Sequence, residues 1–215
     1  MRLSESNLTP LCSIMNKHGS DKGIGRHNYT VEYYKLFNER RLDVKSVFEI
    51  GIGTTDTRLA SNMGADGHPG ASLRGWKEFF PNAAIHGADI DTRILINEER
   101  IETHYVDQRD ESSILTMWNL EPLKDLSFDI IIDDGLHELG ANLKFLRGSY
   151  HKLTHDGVYI IEDINTNYKV VSNYVRELEM LRSHVNFRCE IINLPHPTNN
   201  QDNCLIKLTH FEPYA

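Results

Sequence analysis

The stretch SVFEIGIG, residues 46–53, decides the fold of this 215-residue chain. Its first five residues form a short apolar run, which predicts a buried strand, and two glycines follow it. Glycine lets the backbone approach a ligand closely because it has no side chain. The dinucleotide-binding pattern Gly-x-Gly-x-x-Gly needs a third glycine, which this stretch lacks. The turn after the strand is therefore either a ligand-binding loop or only a tight turn.

Similar apolar runs recur along the chain and alternate with amphipathic segments. This alternation predicts βαβ units, and so a Rossmann-like α/β fold whose sheet is mostly parallel, with helices on both faces. Near the C-terminus, VNFRCEIINL and DNCLIKLTHF flank a polar loop and predict an antiparallel hairpin at the edge of the sheet. The predicted strands are AAIHGADI, ETHYV, FDIIID and GVYIIED, and the predicted helices are ASLRGWKEFF, TRILINEER, ESSILTMWNL and ELGANLKFLRGSYHKL.

Two helices are expected ahead of the first strand. Thr9 and Pro10 are typical of an N-cap and a first helical position, and Gly19 marks the end of that helix. Thr30 is a candidate N-cap of a second helix, VEYYKLFNERR. We expect one domain over residues 1–215, with a helical cap at 1–42 and the Rossmann-like core at 43–215.

Composition limits the classes of function. The formal net charge is -8, and no Lys/Arg run is present, which argues against a nucleic-acid partner and favours a small-molecule substrate. No apolar signal region or membrane span is present, so a cytoplasmic location is expected. A homo-oligomer is left open. Three widely spaced cysteines without a CxxC pair argue against disulfides and thiolate zinc sites: Cys12, Cys189 and Cys204.

Acidic residues follow the second and third predicted strands. In open α/β sheets, ligands bind beyond the carboxyl ends of the strands. Asp89 is placed to accept hydrogen bonds from the ribose hydroxyls of a nucleoside, whereas Asp91 is equally suited to capping the next segment. Asp107, followed by Gln108, is a candidate acceptor for an adenine amino group or a solvated loop carboxylate.

Four carboxylates and a histidine follow the next two strands. Like charges this close need a cation or raise one another's pKa, and oxygen ligands suit Mg²⁺. Side chains alternate along a strand, so only one of the two consecutive aspartates can face the cleft, and we favour the second. The alternative is a set of helix caps with a buried His–Asp pair. The residues are Asp133, Asp134, His137, Glu162 and Asp163.

Six segments together resemble a known family. They cover most of residues 19–165 and read GSDKG with HNY, VFEIGIGT, PGASLRGWKEFFPNAAIHGADID, DQRD, FDIIIDDGLHE and GVYIIEDI. The chain is similar to the class I S-adenosylmethionine (SAM)-dependent methyltransferases related to the metal-dependent sugar O-methyltransferases of macrolide biosynthesis, of the mycinamicin and macrocin type. The resemblance implies a SAM-dependent O-methyltransferase that acts on a hydroxyl of a sugar or another small natural product.

The resemblance also assigns roles to residues. It places SAM over the glycine turn with an acid on the ribose, and it makes His137 the base, acting with Asp134 as a catalytic pair. The implied Mg²⁺ ligands are Asp134, Glu162 and Asp163. Lys22, His27 and Tyr29 belong to the family's N-terminal motif, which is either a lid or purely structural. The candidate cofactor-binding residues are Lys22, Tyr29, Glu49, Gly51, Gly53, Ser72, Asp89, Asp107, Gln108 and Asp133.

The sequence differs from this family in two respects, and three alternative functions are considered. Leu136 stands where relatives commonly have Ser, and the macrolide enzymes carry extra N-terminal structure, so the acceptor and the assembly do not transfer from them. The rivals are an NAD-dependent oxidoreductase, a silent SAM-binding module and a methyltransferase that works without a metal. The missing third glycine argues against the first, and the intact set of acids with His137 argues against the second.

Overall fold

The structure, a computed structural model, describes residues 8–23 and 25–211. The two ends of the expected domain, 1–7 and 212–215, lie outside the described residues. The α-helices are α1 (Pro10–His18), α2 (Tyr29–Phe37), α3 (Ala71–Phe79), α4 (Glu111–Trp118), α5 (Leu139–Ser149) and α6 (Tyr168–Leu181). The strands are β1 (Ser46–Ile50), β2 (Ala84–Asp89), β3 (Asn97–Glu98), β4 (Ile101–Tyr105), β5 (Phe128–Asp133), β6 (Leu153–Ile161), β7 (Phe187–Asn193) and β8 (Cys204–His210).

The strands form one mixed sheet in the order β3-β4-β2-β1-β5-β6-β8-β7. β1 pairs in parallel with β2 on one side and with β5 on the other. β7 and β8 form an antiparallel hairpin that joins the sheet through β6. The chain therefore turns in opposite directions after β1 and β5, and a crevice opens between their carboxyl ends. The predicted α/β class, the largely parallel sheet and the C-terminal hairpin are confirmed.

Alternate residues of the central strands face two separate apolar cores, one on each side of the sheet. On β1, Val47 packs into the core that contains side chains of α1, α2 and α3. Its neighbour Phe48 packs into the opposite core, together with side chains of α4, α5 and α6. Helices thus cover both faces, as predicted. This is why the central strands are apolar at consecutive positions and do not alternate with polar residues.

The first helix agrees with its predicted capping signals, whereas the second does not. The Thr9 side chain accepts the Cys12 backbone N–H, and Gly19 ends α1 in the left-handed conformation. α2 begins at Tyr29, one residue before the expected cap, so the assignment of Thr30 as N-cap is wrong. The Thr30 hydroxyl instead lies 2.9 Å from the Cys12 sulfur, where it helps to join α1 to α2.

Two other segments differ from expectation. TRILINEER does not form an α-helix: a short 3₁₀ turn occupies Thr92–Ile94, and β3 then pairs antiparallel with β4. Conversely, α6 was not predicted, although Tyr174, Leu178 and Leu181 have helical spacing and are buried. Among the described residues, no helix is both long and apolar enough to cross a bilayer.

Replacement of Phe48 tests the packing of the core that lies against α4, α5 and α6. The Phe48 ring is fully buried and packs against Trp118, with 4.6 Å between ring centroids, and against Phe128 and Phe145. We expect Phe48→Ala to lower the free energy of unfolding by about 3–5 kcal/mol, because it leaves a cavity. Urea unfolding followed by circular dichroism measures this loss. Leu115→Ala, at a position 52% exposed, is the control and should change the free energy of unfolding little. An equal loss of stability in both variants would contradict the packing described for Phe48.

Candidate active site

A cleft opens at the carboxyl ends of β1, β2, β4 and β5. Its lining includes ten of the residues singled out from the sequence: Lys22, Gly51, Gly53, Ser72, Asp89, Asp107, Gln108, Asp134, His137 and Asp163. The long polar loop after β1 closes one side through residues 59–63. Four further candidates do not line this cleft and lie behind its wall: Tyr29, Glu49, Asp133 and Glu162.

The glycine turn after β1 brings two loops into contact. Gly51 has a φ of 85°, and a Cβ atom there would lie 1.9 Å from the carbonyl oxygen of Asp134. Gly53 has a φ of 89°, which also favours glycine. The absence of side chains lets the β1 loop pass directly beside the β5 loop. The turn is therefore required by close backbone approach, whatever ligand it holds.

The carboxylate of Asp89 organises the rim at the end of β2. Its two oxygens accept the backbone N–H groups of Ile52 and Asp91, each at 2.9 Å. Each oxygen keeps a further lone pair, so Asp89 remains able to accept a ligand hydroxyl. Asp91 is occupied elsewhere: it caps the 3₁₀ turn and accepts the Thr54 hydroxyl at 2.6 Å. The structure thus separates these two aspartates into a cleft residue and a cap.

Gln108 links the third and fourth strand ends. Its amide nitrogen donates to Asp133 at 2.7 Å, and its amide oxygen accepts the Leu136 backbone N–H at 2.8 Å. Asp133 is fully buried, and this burial raises the pKa of its carboxyl group to about 6. Asp133, the last residue of β5, is thus buried outside the cleft lining, whereas Asp134, directly after the strand, lines the cleft. Asp107 lies on the rim, where Arg109 holds the pKa of its carboxyl group below the usual range.

The Lys22 ammonium group lies among the carboxylates. Its Nζ is 2.6 Å from Asp134 Oδ2, 2.5 Å from Glu162 Oε2 and 3.7 Å from Glu49 Oε1. Only 1% of Lys22 is exposed. Burial acts to lower the pKa of Lys22, but the charges of the three carboxylates outweigh it and raise that pKa well above its ordinary value. Lys22 is therefore charged and neutralises part of the acidic cluster.

Two tyrosines of α2 hold the Glu-Asp pair that follows β6. The Tyr33 hydroxyl donates to Glu162 Oε1, so both oxygens of that carboxylate already have a partner. Glu162 is 1% exposed, and burial raises the pKa of its carboxyl group. The Tyr29 hydroxyl donates to Asp163 Oδ1 at 2.6 Å, which leaves Oδ2 directed toward the histidine.

His137 lies at the mouth of the acidic cluster. Its Nε2 is 3.2 Å from Asp134 Oδ1 and 3.5 Å from Asp163 Oδ2, and its Nδ1 is 3.3 Å from the Ser61 hydroxyl. Burial acts to lower the pKa of His137, but the hydrogen bond to Asp134 and the negative charges around the ring raise it to about 9. In this arrangement the imidazole is protonated at neutral pH.

The backbone at the site is strained. His137 and Asp163 have φ values of 59° and 54°, in the left-handed region that costs a non-glycine residue about 1–3 kcal/mol. Such conformations persist only where the surrounding contacts enforce them, and they cluster at functional sites. Here they direct both side chains to the same point of the cleft.

Two contributors were missed by sequence reasoning. Ser61 donates to the Gly135 carbonyl at 2.7 Å and faces the His137 ring. No motif marks Ser61, because its position depends on the path of a long irregular loop. Tyr33 lies on a helix face with Tyr34 and Phe37, where an aromatic residue is typical of core packing. Only the position of β6 shows that its hydroxyl reaches Glu162.

The fold of the chain is that of the class I SAM-dependent methyltransferases. It superposes on the MycE methyltransferase from the mycinamycin biosynthetic pathway, solved with Mg and SAH, with a TM-score of 0.71 at 22% identity over 94% of this chain and 55% of that one. It also superposes on human methyltransferase-like protein 13 in complex with SAH, with a TM-score of 0.52 at 16% identity over 81% of this chain and 76% of that one.

Several O-methyltransferases are also similar to the chain in sequence. The chain is 36% identical over 165 residues to the demethylmacrocin O-methyltransferase of Streptomyces fradiae, and 33% identical over 162 residues to the mycinamicin VI 2''-O-methyltransferase of Micromonospora griseorubida. It is also 33% identical over 163 residues to an 8-demethyl-8-alpha-L-rhamnosyl tetracenomycin-C 2'-O-methyltransferase of Streptomyces olivaceus.

These matches span 74% of this chain but only 37–38% of each relative. No protein-family model matches the chain. The resemblance to macrolide-sugar O-methyltransferases that the sequence segments indicated is confirmed.

Replacement of Lys22 tests whether its positive charge stabilises the buried carboxylates around it. We expect Lys22→Met to lower the free energy of unfolding by about 3–5 kcal/mol, because it leaves buried carboxylates without their counter-ion. Urea unfolding measures the loss. Lys17→Met is the matched control, since the Lys17 side chain is 65% exposed in its pair with Glu78 and should contribute little. Equal stability of the Lys22 variant and the wild type would contradict the charge balance.

Proposed function

We propose that this chain is a SAM-dependent O-methyltransferase that methylates a hydroxyl of a sugar carried by a small natural product. One observation carries the proposal. A single cleft joins the glycine turn and the Asp89 rim, which suit a nucleoside, to a strained pair of residues, His137 and Asp163, which suits an acceptor hydroxyl.

We assign the half of the cleft beside the glycine turn to SAM. The backbone of Gly51 and Gly53 lines the cleft, where it can approach a cofactor, and Asp89 retains lone pairs for ribose hydroxyls. Asp107 lies on the adjacent rim, as expected for an acceptor from the adenine amino group. These assignments rest on the position of each residue in the cleft. The fold neighbours solved with SAH support the same cofactor.

In the half of the cleft that would hold the acceptor, we propose that His137 takes the proton from the acceptor hydroxyl. The acceptor oxygen forms a bond to the SAM methyl carbon while the carbon–sulfur bond breaks, which leaves SAH. Ser61 donates to Gly135, so its oxygen can accept from His137 Nδ1–H and leave Nε2 as the basic nitrogen. With its pKa raised to about 9, His137 becomes a base only in a bound state that lowers this value.

Part of the acidic cluster is arranged to bind a divalent cation. Asp134, Asp163 and His137 offer ligand atoms within 4.8 Å of one another at the cleft. The third implied ligand, Glu162, is engaged by Lys22 and Tyr33. Asp134 and Asp163 would hold the ion in this arrangement, and Glu162 would join only if Lys22 withdrew. When bound, Mg²⁺ would lower the pKa of an acceptor hydroxyl and orient its oxygen.

The acceptor class is inferred from the relatives. They are named as methyltransferases acting on rhamnosyl, macrocin and mycinamicin compounds, and one MycE structure was solved with mycinamycin VI. A sugar with neighbouring hydroxyls also suits a site with two acids side by side. The net charge of -8 favours such a neutral acceptor over a nucleic acid.

A specific contact favours a second candidate, a methyltransferase that works without a metal. The Lys22 ammonium already supplies a positive charge to Asp134 and Glu162, which is the charge that a cation would otherwise bring. An EDTA titration of turnover distinguishes the two. Loss of activity that Mg²⁺ restores supports the metal-dependent enzyme, and unchanged activity supports the second candidate.

Calorimetric titration with SAH tests the cofactor assignment. We expect SAH to bind with micromolar affinity or better, and NAD not to bind, because the third glycine of the dinucleotide pattern is missing. We expect Asp107→Ala to weaken SAH binding by roughly tenfold, the effect of about 1.4 kcal/mol. Asp110→Ala, at an exposed helix cap nearby, is the control. Failure of SAH to bind the wild type would contradict the proposed function.

Replacement of His137 by Asn tests the proton acceptor. Positioned general bases contribute roughly 10²–10⁴-fold, so turnover should fall by at least about a hundredfold. The affinity for SAH should stay within about twofold of the wild type, because the ring lies at the acceptor end of the cleft. Single-turnover kinetics and calorimetry provide the two readouts. Unchanged turnover would remove the role assigned to His137.

A further inference from the structure

A second group of metal-ligating side chains lies on the sheet, away from the cleft. His86 on β2 and Glu102 on β4 are direct partners in the parallel pairing, and His104 follows two residues later on β4. Side chains two residues apart on a strand point to the same face. All three therefore project from the face that carries α4, α5 and α6. None of the three is among the described residues that line the cleft.

The spacing of these side chains suits a tetrahedral metal ion. His86 Nδ1 lies 3.5 Å from His104 Nε2. Two nitrogens bound to one zinc ion at about 2.0–2.1 Å are separated by about 3.4 Å when the geometry is tetrahedral. One possible ligand atom from each of His86, Glu102 and His104 lies within 4.8 Å of the other two. The glutamate side chain would have to rotate to bring its oxygen to a bonding distance.

Packing holds the two imidazoles in place on the sheet. His86 and His104 are 5% and 7% exposed. An imidazole binds a metal ion through the lone pair of one ring nitrogen. The edge-to-face contact of His86 with Phe128, at 5.6 Å between centroids, holds the first ring in place. Glu102 is half-buried and opens the group to solvent.

A hydrogen bond between the rings is the simplest alternative. One neutral imidazole can donate to the other at 3.5 Å, and the rings are nearly parallel, at 14°. Such a bond accounts for the two histidines but gives no role to the carboxylate beside them. Two imidazole nitrogens and one carboxylate oxygen form a ligand set typical of Zn²⁺, whereas Mg²⁺ prefers oxygen ligands.

We propose that His86, Glu102 and His104 bind a zinc ion, with water as the fourth ligand. The ion would tie β4 to β2 near the edge of the sheet. β4 pairs with β2 through five residues and with the edge strand β3 through two, so the ion would add a side-chain link to the β2–β4 pairing next to the edge. The role is structural, because the site lies apart from the cleft. It is independent of the methyltransferase proposal.

Zinc titration of the untagged wild-type protein, in the presence of excess Mg²⁺, tests the site. We expect one equivalent of Zn²⁺ to bind with micromolar affinity or better and to raise the melting temperature. Co²⁺ bound in its place should give the intense visible absorption of a tetrahedral site. Failure to bind one equivalent of Zn²⁺, or an octahedral Co²⁺ spectrum, would overturn the proposal.

Variants assign the ligands. Glu102→Gln should weaken Zn²⁺ binding by roughly tenfold or more, since a neutral amide is a poorer ligand, and its half-buried position spares the core. His86→Ala should abolish binding. His184→Ala, at an exposed histidine after α6, and His137→Ala, in the other acidic group, should bind zinc as the wild type does. Wild-type zinc affinity in Glu102→Gln, or loss of zinc in His137→Ala, would overturn the assignment even if His86→Ala fails to fold.

Discussion

The buried ammonium group of Lys22 is the charge on which the cleft depends. Three carboxylates, one on β1 and two directly after β5 and β6, surround it, and without a cation each would raise the pKa of the others. The segment between α1 and α2 provides this cation, while α2 provides the tyrosines that satisfy Glu162 and Asp163. The N-terminal segment thus contacts carboxylates of the core across the boundary at residue 42 that is expected from the sequence.

The same contacts explain how a largely rigid sheet presents its reactive groups. Gln108 and Asp133 fix the loop after β5 from beneath, and the strained backbone at His137 and Asp163 aims both side chains into the cleft. Packing in the two apolar cores, one on each side of the sheet, offsets the energetic cost of that strain. The loop after β5 and the directions of the His137 and Asp163 side chains are thus fixed by contacts within the protein itself.

Much of this fold was predictable because its strands are short apolar runs bounded by glycine and aspartate. The residues at the strand ends were predictable for the same reason, since parallel strands deliver their carboxyl ends to one edge. Failures have local causes. TRILINEER has a helical pattern, but Thr103 bonds the backbone of Ile96 and draws the segment into a hairpin. The Lys22 contacts join residues 112 and 140 positions apart, and no local pattern encodes such a distance.

The close approach at Gly51 has a thermodynamic consequence. The β1 loop touches the carbonyl of Asp134, so the backbone that would cradle the cofactor and the backbone that would present the acceptor group share one contact surface. If a ligand displaced one loop, the contact at Gly51 would transmit part of that displacement to the other loop. Any resulting change in affinity would be reciprocal, because each ligand would change the affinity for its companion by the same factor. The contact at Gly51 is therefore a route for thermodynamic coupling between the two halves of the cleft.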